Sequence, residues 1–355
     1  MNSFEATFTE ITNWQKNVHY STGGTRSKYI ALNPENNEEY FFKGSKETIE
    51  GEIRYPTEFW SEIVSSKIGQ LLGFKMLDYN IAYDKNHKQK IGCLSKSMVD
   101  NSVNQLIEGK RYLTGFDEKY DSEKDKKHYT FQFIRQALIK SDFEYYINNI
   151  IEIIVFDSII GNSDRHQENW GIIIDYSHIK NVTDNSLYNK NKGLTVYFKN
   201  FKKILKAELL TKEKKEMATD ILINNVSSYF APIYDSGCCL GREHEDAKVE
   251  KMIKDNQMLQ SYIDKGKSEI HWETIGEKSK HFELVALLIQ NYPNETTKFI
   301  NRVKDNFDEK RIIEIIQDID SNLPTDLINF KLSENRKILM SKLITLRMHK
   351  TLSLI

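Results

Sequence analysis

Gly161-Asn162-Ser163-Asp164-Arg165-His166-Gln167-Glu168-Asn169 is the stretch of this sequence that predicts the fold. It follows a long apolar segment and separates an Asp from an Asn by one short turn, a spacing typical of a phosphoryl-transfer catalytic loop. In such a loop the Asp accepts the proton of an attacking hydroxyl, and the Asn holds a metal ion against the nucleotide phosphates. We therefore predict that Asp164 is the catalytic base and that Asn169 binds Mg²⁺.

A second metal-binding carboxylate is predicted within Ala231-Pro232-Ile233-Tyr234-Asp235-Ser236-Gly237. The apolar, strand-like start of this segment delivers Asp235 into a turn, which is where a kinase presents its second metal ligand. We expect Asp235 and Asn169 together to hold Mg²⁺ on the phosphates of ATP.

Lys43 and Glu62 are the predicted pair that orients the nucleotide. Residues 39–44 read as a short strand that carries Lys43, and Glu62 lies on a helix predicted from residue 57 to residue 72. Alone, the first is an ordinary edge-strand lysine and the second a solvated helix residue. Together they match the Lys that neutralises nucleotide phosphates and the helix carboxylate that orients it. Glu58, one turn earlier, is the alternative partner.

A glycine-containing loop, Ser21-Thr22-Gly23-Gly24-Thr25, precedes the first predicted strand. Glycines at such a position either form an ordinary turn or let backbone N–H groups approach phosphates closely. Its place before the Lys43 strand favours contacts from Gly23, Gly24 and Thr25 to ATP. Phosphorylation of Ser21 or Thr22 would add negative charge beside the ATP phosphates and inhibit the enzyme, although Ser21 is equally well an ordinary loop serine.

Two further residues of the catalytic loop admit alternative interpretations. His166 is either a catalytic acid or, by preference, a structural hydrogen-bonding residue buried beneath the site, where it would also lie close to bound nucleotide. Arg165 is either an electrostatic partner for a phosphate or an orienter of Asp164. Cys238 and Cys239, which follow Asp235, are interpreted as packing residues rather than a redox pair or metal ligands.

Composition excludes several other classes of protein. The chain has 355 residues, is 39% hydrophobic and carries a formal net charge of −1, so it can bury a large core and shows no global preference for nucleic acid or anionic membranes. Its three cysteines cannot form a disulfide framework, which favours a reducing cytoplasm. We predict no membrane span, no signal peptide and no direct contact with nucleic acid. Secretion of an effector without a classical signal stays open.

The pattern of apolar residues predicts an α+β, bilobal protein-kinase-like fold. Residues 1–100 would form a small, β-rich N-lobe with one helix, and residues 101–355 a larger helical C-lobe with an insert at about 177–229. Ser141 and Glu144 are interpreted as a capping box for a helix that runs to about residue 160. The remaining predictions are strands at 28–32, 39–43, 76–83, 90–95 and 170–174, a loop at 181–192, and helices at 201–220 and 333–352.

The motifs around Asp164 and Asp235, together with Gly24-Thr25-Arg26-Ser27-Lys28, resemble those of the HipA-like serine/threonine kinases. The resemblance implies that Asp164 is the base, Asn169 and Asp235 are the magnesium ligands, and Lys43 is the ATP-phosphate lysine. It also implies a protein substrate, an antitoxin or regulatory partner, and autophosphorylation at Ser21. The chain looks like a kinase core without the extra N-terminal subdomain of the toxins, and it departs from them at Arg26 and in the length of the segment between Asn169 and Asp235.

Two other functions stay open at this stage. Phosphoinositide and small-molecule kinases also use an Asp-Arg-His-x-x-Asn loop, but they usually place a Phe after the second metal ligand, where this chain has Ser236. A pseudokinase or interaction module would keep the fold and lose catalysis, which the intact set of Lys43, Asp164, Asn169 and Asp235 disfavours.

Overall fold

The computed structural model describes residues 4–17, 26–48, 50–177, 227–273 and 278–355. The loop of Ser21, Thr22, Gly23, Gly24 and Thr25 lies outside the described residues. So do most of the predicted insert, its loop at 181–192 and its helix at 201–220.

Two compact units make up the chain. The first contains Met1–Ser97, Gly109–Trp170 and Pro232–Ile355, and the second contains Met98–Glu108 and Gly171–Ala231. All the predicted site residues that the structure describes belong to the first unit. The lobe boundary at residue 100 stays a prediction.

A six-stranded sheet forms the N-terminal part of the first unit, in the order β1-β5-β6-β4-β3-β2. β1 pairs with β5 in parallel, and the other neighbouring strands are antiparallel. Aromatic and aliphatic side chains of this sheet, including Tyr29, Phe42 and Leu94, share one buried cluster. The strands are β1 (Phe8–Glu10), β2 (Gln15–Asn17), β3 (Arg26–Leu32), β4 (Glu39–Lys46), β5 (Asn80–Tyr83) and β6 (Ile91–Lys96).

All four strands predicted for this region are present, with one change of length. The strand predicted at 76–83 begins only at Asn80, because Met76 instead forms an isolated bridge with Ile233. β1 and β2 were not predicted, since three residues are too few to show an alternating pattern.

One helix, α1 (Glu58–Leu71), lies between β4 and β5 in the chain. Thr57 is its N-cap and Gly73, with φ +81°, follows its end, so its predicted limits are correct. Nearly every side chain from Glu58 to Gly69 is buried, because the helix packs against β4 and β6 and Trp60 donates a hydrogen bond to the carbonyl of Phe330. Polar groups of this helix must therefore find partners inside the protein.

The remainder of the first unit is helical. α4 is mostly apolar and, apart from Glu152, is buried from Ile150 to Ile160. α10 packs against α4 and α5, and a buried cluster that includes Met252, Phe282 and Leu343 joins the C-terminal helices. The helices are α2 (Gly109–Phe116), α3 (Phe131–Lys140), α4 (Ile147–Ile160), α5 (Asp246–Lys254), α6 (Asn256–Lys265), α7 (His281–Asn291), α8 (Pro293–Asn306), α9 (Glu309–Gln317) and α10 (Glu334–Leu352).

The predicted capping box at the start of α4 was wrong. Ser141 instead ends α3, where its backbone N–H bonds to the carbonyl of Ala137 and its hydroxyl donates to the same oxygen at 2.9 Å. Glu144 belongs to a short 3₁₀ turn, Glu144–Tyr146, that leads into α4. The chain thus forms two helices where the capping signal predicted the start of one. The helix predicted at 333–352 is present as α10, with Ser333 as its N-cap.

The second unit contains an antiparallel sheet in the order β7-β8-β9. Its strands are β7 (Asn104–Glu108), β8 (Gly171–Asp175) and β9 (Ser227–Phe230). β8 is the strand predicted at 170–174, displaced by one residue, whereas β7 was not predicted. None of the helices in the described parts of the chain is long and apolar enough to cross a membrane.

Candidate active site

Lys43 is the centre of the candidate site. β4 pairs with β6 on one side, which fixes Lys43 opposite Cys93 and leaves its side chain almost fully buried. Its ammonium nitrogen lies 3.2 Å from Glu62 Oε2 and 2.7 Å from Asp235 Oδ1. Three residues that the sequence predicted to act together therefore meet at one point.

Glu62 connects Lys43 to the segment that follows Asp235. One carboxylate oxygen contacts the Lys43 ammonium group, and the other accepts a hydrogen bond of 2.7 Å from the backbone N–H of Ser236. Glu58, the alternative partner, instead accepts a hydrogen bond of 2.8 Å from the backbone N–H of Lys46. The structure thus distinguishes the two glutamates of α1 that the sequence left as alternatives.

Asp235 follows a short β-bridge at Ile233 and has a left-handed backbone conformation. Ile233 exchanges backbone hydrogen bonds with Lys75 and Leu77, at 2.8 and 2.9 Å, which holds the segment against the N-terminal part of the unit. The next turn gives Asp235 a φ of +55°, a conformation that is uncommon outside glycine and concentrated at functional sites. Its backbone N–H points to the hydroxyl of Tyr79. Burial, and then the negative charges of Glu62 and Asp235, raise the pKa of Tyr79 well above its ordinary value.

The catalytic loop begins where α4 ends. Gly161 has a φ of +71° and bonds through its N–H to the carbonyl of Asp157, so the helix stops there. Asn162 then accepts a hydrogen bond of 3.2 Å from the backbone N–H of Asp164. The amide nitrogen of Asn169 donates a hydrogen bond of 2.7 Å to the carbonyl of Asp164. This bond connects the predicted metal ligand to the backbone of the predicted base.

Arg165 holds the catalytic loop from beneath. Its side chain is fully buried and forms two hydrogen bonds with the carboxylate of Asp157, at 3.0 and 2.8 Å. The same guanidinium donates to the carbonyls of Asn169 and Tyr234, and at 3.0 Å to the hydroxyl of Ser236. It therefore fixes the backbone next to both predicted metal ligands.

Burial by itself lowers the pKa of Arg165, but the Asp157 carboxylate more than offsets this effect, so the pKa lies above its ordinary value. The guanidinium is consequently a permanent buried charge. Among the described residues Arg165 makes no contact with the Asp164 side chain, so its predicted role as an orienter of that carboxylate is wrong. Its full burial disfavours the other predicted role, a contact with a phosphate.

His166 is not buried beneath the site as the sequence interpretation preferred. It is half-buried, and its Nδ1 accepts a hydrogen bond of 3.2 Å from the backbone N–H of Glu168. Arg165, rather than His166, is the residue buried beneath the site. Its planar guanidinium has five donors, so it can bond to several carbonyls at once. A contact between His166 and bound nucleotide stays a prediction.

Two structural partners of the loop were missed from the sequence. Asp157 is an acidic residue within the apolar helix α4, and it pairs with Arg165. The hydroxyl of Tyr129 donates a hydrogen bond of 3.0 Å to the carbonyl of Arg165 and accepts one of 2.8 Å from the indole N–H of Trp170. An acid in an otherwise apolar, buried helix is a signal that could have indicated Asp157, whereas Tyr129 is distant in sequence and gave none.

Asn169 and Asp235 are suited to Mg²⁺ by their chemistry. The amide nitrogen of Asn169 donates to the carbonyl of Asp164, and within the described residues its amide oxygen accepts no hydrogen bond. The Asp235 carboxylate supplies a second oxygen and is paired with Lys43. Mg²⁺ prefers oxygen ligands and commonly takes only one or two from protein, with phosphates and waters completing the octahedron. These two side chains fit such an ion.

The two adjacent cysteines are free thiols and are buried. The thiol of Cys239 donates a hydrogen bond of 2.9 Å to the carbonyl of Ser236. Burial raises the pKa of the Cys239 thiol above its ordinary value. Cys238 Sγ lies 3.2 Å from Asp164 Oδ2, a contact that the sequence did not indicate.

Comparisons with known proteins place this site in a recognised fold. No protein-family profile matches the sequence, and no match was found among curated proteins. The structure is similar to that of a Helicobacter pylori proinflammatory kinase, CtkA, with a TM-score of 0.66 at 18% identity, over 98% of this chain and 96% of that chain. The chain has a kinase-like fold.

The α+β, kinase-like fold predicted from the sequence is thereby confirmed. A HipA structure from Shewanella oneidensis MR-1, a toxin–antitoxin complex with HipB and operator DNA, aligns with a TM-score of 0.48 at 10% identity. That alignment covers 93% of this chain and 64% of the HipA chain.

Proposed function

We propose that this chain is an ATP- and Mg²⁺-dependent protein kinase that phosphorylates Ser or Thr hydroxyl groups. The observation that supports the proposal is the position of the Lys43 ammonium group, 3.2 Å from Glu62 and 2.7 Å from Asp235. A lysine held between a helix carboxylate and a metal-binding carboxylate is the arrangement that cradles nucleotide phosphates in kinases.

Each side chain has a proposed role in one transfer step. The acceptor oxygen attacks the γ-phosphorus, the bond between that phosphorus and the β,γ-bridging oxygen breaks, and ADP leaves. The hydroxyl proton passes to the Asp164 carboxylate. Lys43, oriented by Glu62, donates hydrogen bonds to the phosphates, and Asn169 and Asp235 would hold Mg²⁺. When bound, the metal ion neutralises charge on the phosphate oxygens.

Ser236 belongs to the buried polar network beneath Asp235. It occupies the position where phosphoinositide kinases usually carry a Phe, and here its N–H bonds to Glu62 while its hydroxyl accepts from Arg165. A Phe at this position would offer no oxygen to accept the hydrogen bond from the buried guanidinium. The polar network beneath Asp235 is therefore built for a serine.

The test is incubation of the full chain with labelled ATP and Mg²⁺ in the presence of casein, in a cell lysate, and with phosphatidylinositol vesicles. We expect label on phosphoserine or phosphothreonine in protein. Label in lipid with none in protein would assign the chain to the lipid kinases. Stabilisation by ATP without transfer to any acceptor would instead indicate a nucleotide-binding module.

Regulation by the phosphate loop and by a protein partner is also proposed, on the resemblance to HipA-like kinases alone. Mass spectrometry after incubation with ATP tests the first part, because phosphate on Ser21 or Thr22 should accumulate as activity falls. An unmodified loop in inhibited protein would remove this form of regulation. An antitoxin-like partner or an effector role would be tested by co-purification from the native cell.

A further inference from the structure

Glu58 and Glu62 lie one turn apart on α1, and both connect β4 to the segment that follows Asp235. Glu62 joins Lys43 to Ser236. Glu58, which is completely buried, accepts from the backbone N–H of Lys46 through one oxygen. Its other oxygen lies 3.2 Å from Arg242 Nη1. The second connection has no part in the roles described above, so its purpose needs an explanation of its own.

Arg242 is held in one orientation by three groups. The guanidinium carbon lies 4.2 Å from the centre of the Tyr55 ring, a cation–π distance. Nη1 pairs with Glu58, and Nη2 donates 3.0 Å to Cys238 Sγ. An arginine fixed in this way can hold another side chain in place, because its planar donors have defined directions.

Cys238 connects Arg242 to Asp164 in the catalytic loop. Its sulfur accepts from Arg242 and has one S–H to donate. The nearest carboxylate oxygen is Asp164 Oδ2 at 3.2 Å, whereas Glu58 Oε1 is at 3.7 Å and already contacts Arg242. Within the described residues the thiol is the hydrogen-bond donor to the Asp164 carboxylate, since the other bonds of Asp164 use its backbone.

We propose that Cys238 is a positioning residue for Asp164, held in place by Arg242 and Glu58. A donor on Oδ2 fixes the rotation of the carboxylate and leaves Oδ1 to accept the proton of the substrate hydroxyl. This proposal rests on the proposed kinase function, in which the Asp164 carboxylate must be correctly oriented to accept the proton of the substrate hydroxyl. Because Glu58 lies on α1 and holds Arg242, the orientation of the Asp164 carboxylate also depends on the position of α1.

A simple packing role for Cys238 makes the opposite prediction for two substitutions. Cys238→Val removes the donor and keeps the site filled with a somewhat larger apolar side chain, whereas Cys238→Ser keeps a donor and removes part of the volume. If the thiol positions Asp164, Ser retains kcat within about threefold, and Val lowers kcat about tenfold at unchanged KM for ATP, as expected for one lost hydrogen bond. If the thiol only fills space, Val retains activity and Ser loses it.

The experiment measures kcat and KM for ATP with casein as acceptor in wild type, both Cys238 variants and the control Ser341→Ala. Ser341 is buried in α10 and donates to Lys337 of its own helix, so its loss should leave kcat unchanged. Active wild type with an active Val variant and an impaired Ser variant would overturn the positioning role and leave the kinase function intact. Equal activity of both variants would also overturn it. Wild type that phosphorylates no acceptor would instead overturn the kinase function on which the proposal rests.

Discussion

Arg165 and Asp157 form a fully buried ion pair with two parallel contacts, Nε to Oδ2 at 3.0 Å and Nη2 to Oδ1 at 2.8 Å. The pair joins α4 to the catalytic loop. Because the remaining donors of Arg165 bind the carbonyls of Asn169 and Tyr234, loss of the guanidinium should loosen the loop as well as destabilise the fold.

We predict that Arg165→Lys lowers the free energy of unfolding by about 3 kcal/mol or more, because one ammonium group cannot replace the two contacts to Asp157 and the bonds to the loop. Chemical denaturation measures the loss. Arg311→Lys is the control, since Arg311 pairs with Glu314 on the surface of α9 and both side chains are largely exposed. The Arg311 substitution should cost about 1 kcal/mol or less. Equal losses in the two variants would contradict the structural role of Arg165.

Glu62→Gln should weaken the use of ATP. The substitution removes the negative charge beside Lys43 and leaves the ammonium group drawn to Asp235 alone. We expect kcat/KM for ATP to fall about tenfold or more, which corresponds to about 1.4 kcal/mol of lost interaction. Glu152→Gln serves as control, because Glu152 pairs with Arg302 on the helical side of the unit. An unchanged kcat/KM in the Glu62 variant would refute the orienting role.

Asp235→Asn should separate nucleotide binding from its dependence on metal. In the wild type, Mg²⁺ and ATP together should raise the thermal midpoint more than ATP alone, because only the native state binds the complex. The variant keeps its shape but lacks the charge that balances the cation, so most of the Mg²⁺ increment should disappear. Asn169→Ala should also reduce it, since this change removes an amide oxygen ligand. A full Mg²⁺ increment in both variants would rule out these ligands.

Stability should decrease as the pH falls below 6.5, in part because of His281. Burial, and then the positive charge of Arg347, hold the pKa of His281 well below its ordinary value of 6.5, so the folded state keeps the imidazole neutral. The unfolded chain takes up a proton as the pH falls through that value, which favours unfolding. The slope for one such group is at most about 1.4 kcal/mol per pH unit.

Urea unfolding between pH 7.5 and pH 5.5 measures this dependence. His281→Gln should show a shallower loss of stability than the wild type, while His244 and His271, whose pKa values burial also lowers, keep part of the slope. Identical slopes in wild type and variant would show that folding does not lower the pKa of His281.

The sequence predicted those parts of the site that depend on short spacings. Asp164 and Asn169 belong to one loop, and the helix that carries Glu62 has a clear beginning and end. Lys43 lies on a strand with β-forming neighbours. Each of these assignments needed only a local pattern and the general chemistry of phosphoryl transfer.

The supporting contacts could not be predicted in the same way, because their members meet only in the folded chain. Asp157, Arg165 and Tyr234 come from α4, the catalytic loop and the segment before Asp235. No spacing in the sequence indicates that one guanidinium will bond to both of the others. The capping signal at Ser141 failed for a related reason, since tertiary packing decides which of two neighbouring helices uses a serine.

The central claim is that Asp164 accepts a proton during transfer from ATP, and the isosteric variant Asp164→Asn tests it most directly. Both proteins are incubated with labelled ATP, Mg²⁺ and casein, and ATP binding is followed by thermal stabilisation. We predict transfer by the wild type, a loss of at least about a hundredfold in the variant, and equal stabilisation of the two by ATP. Full transfer by the variant, or none by the wild type on any acceptor, would contradict the account.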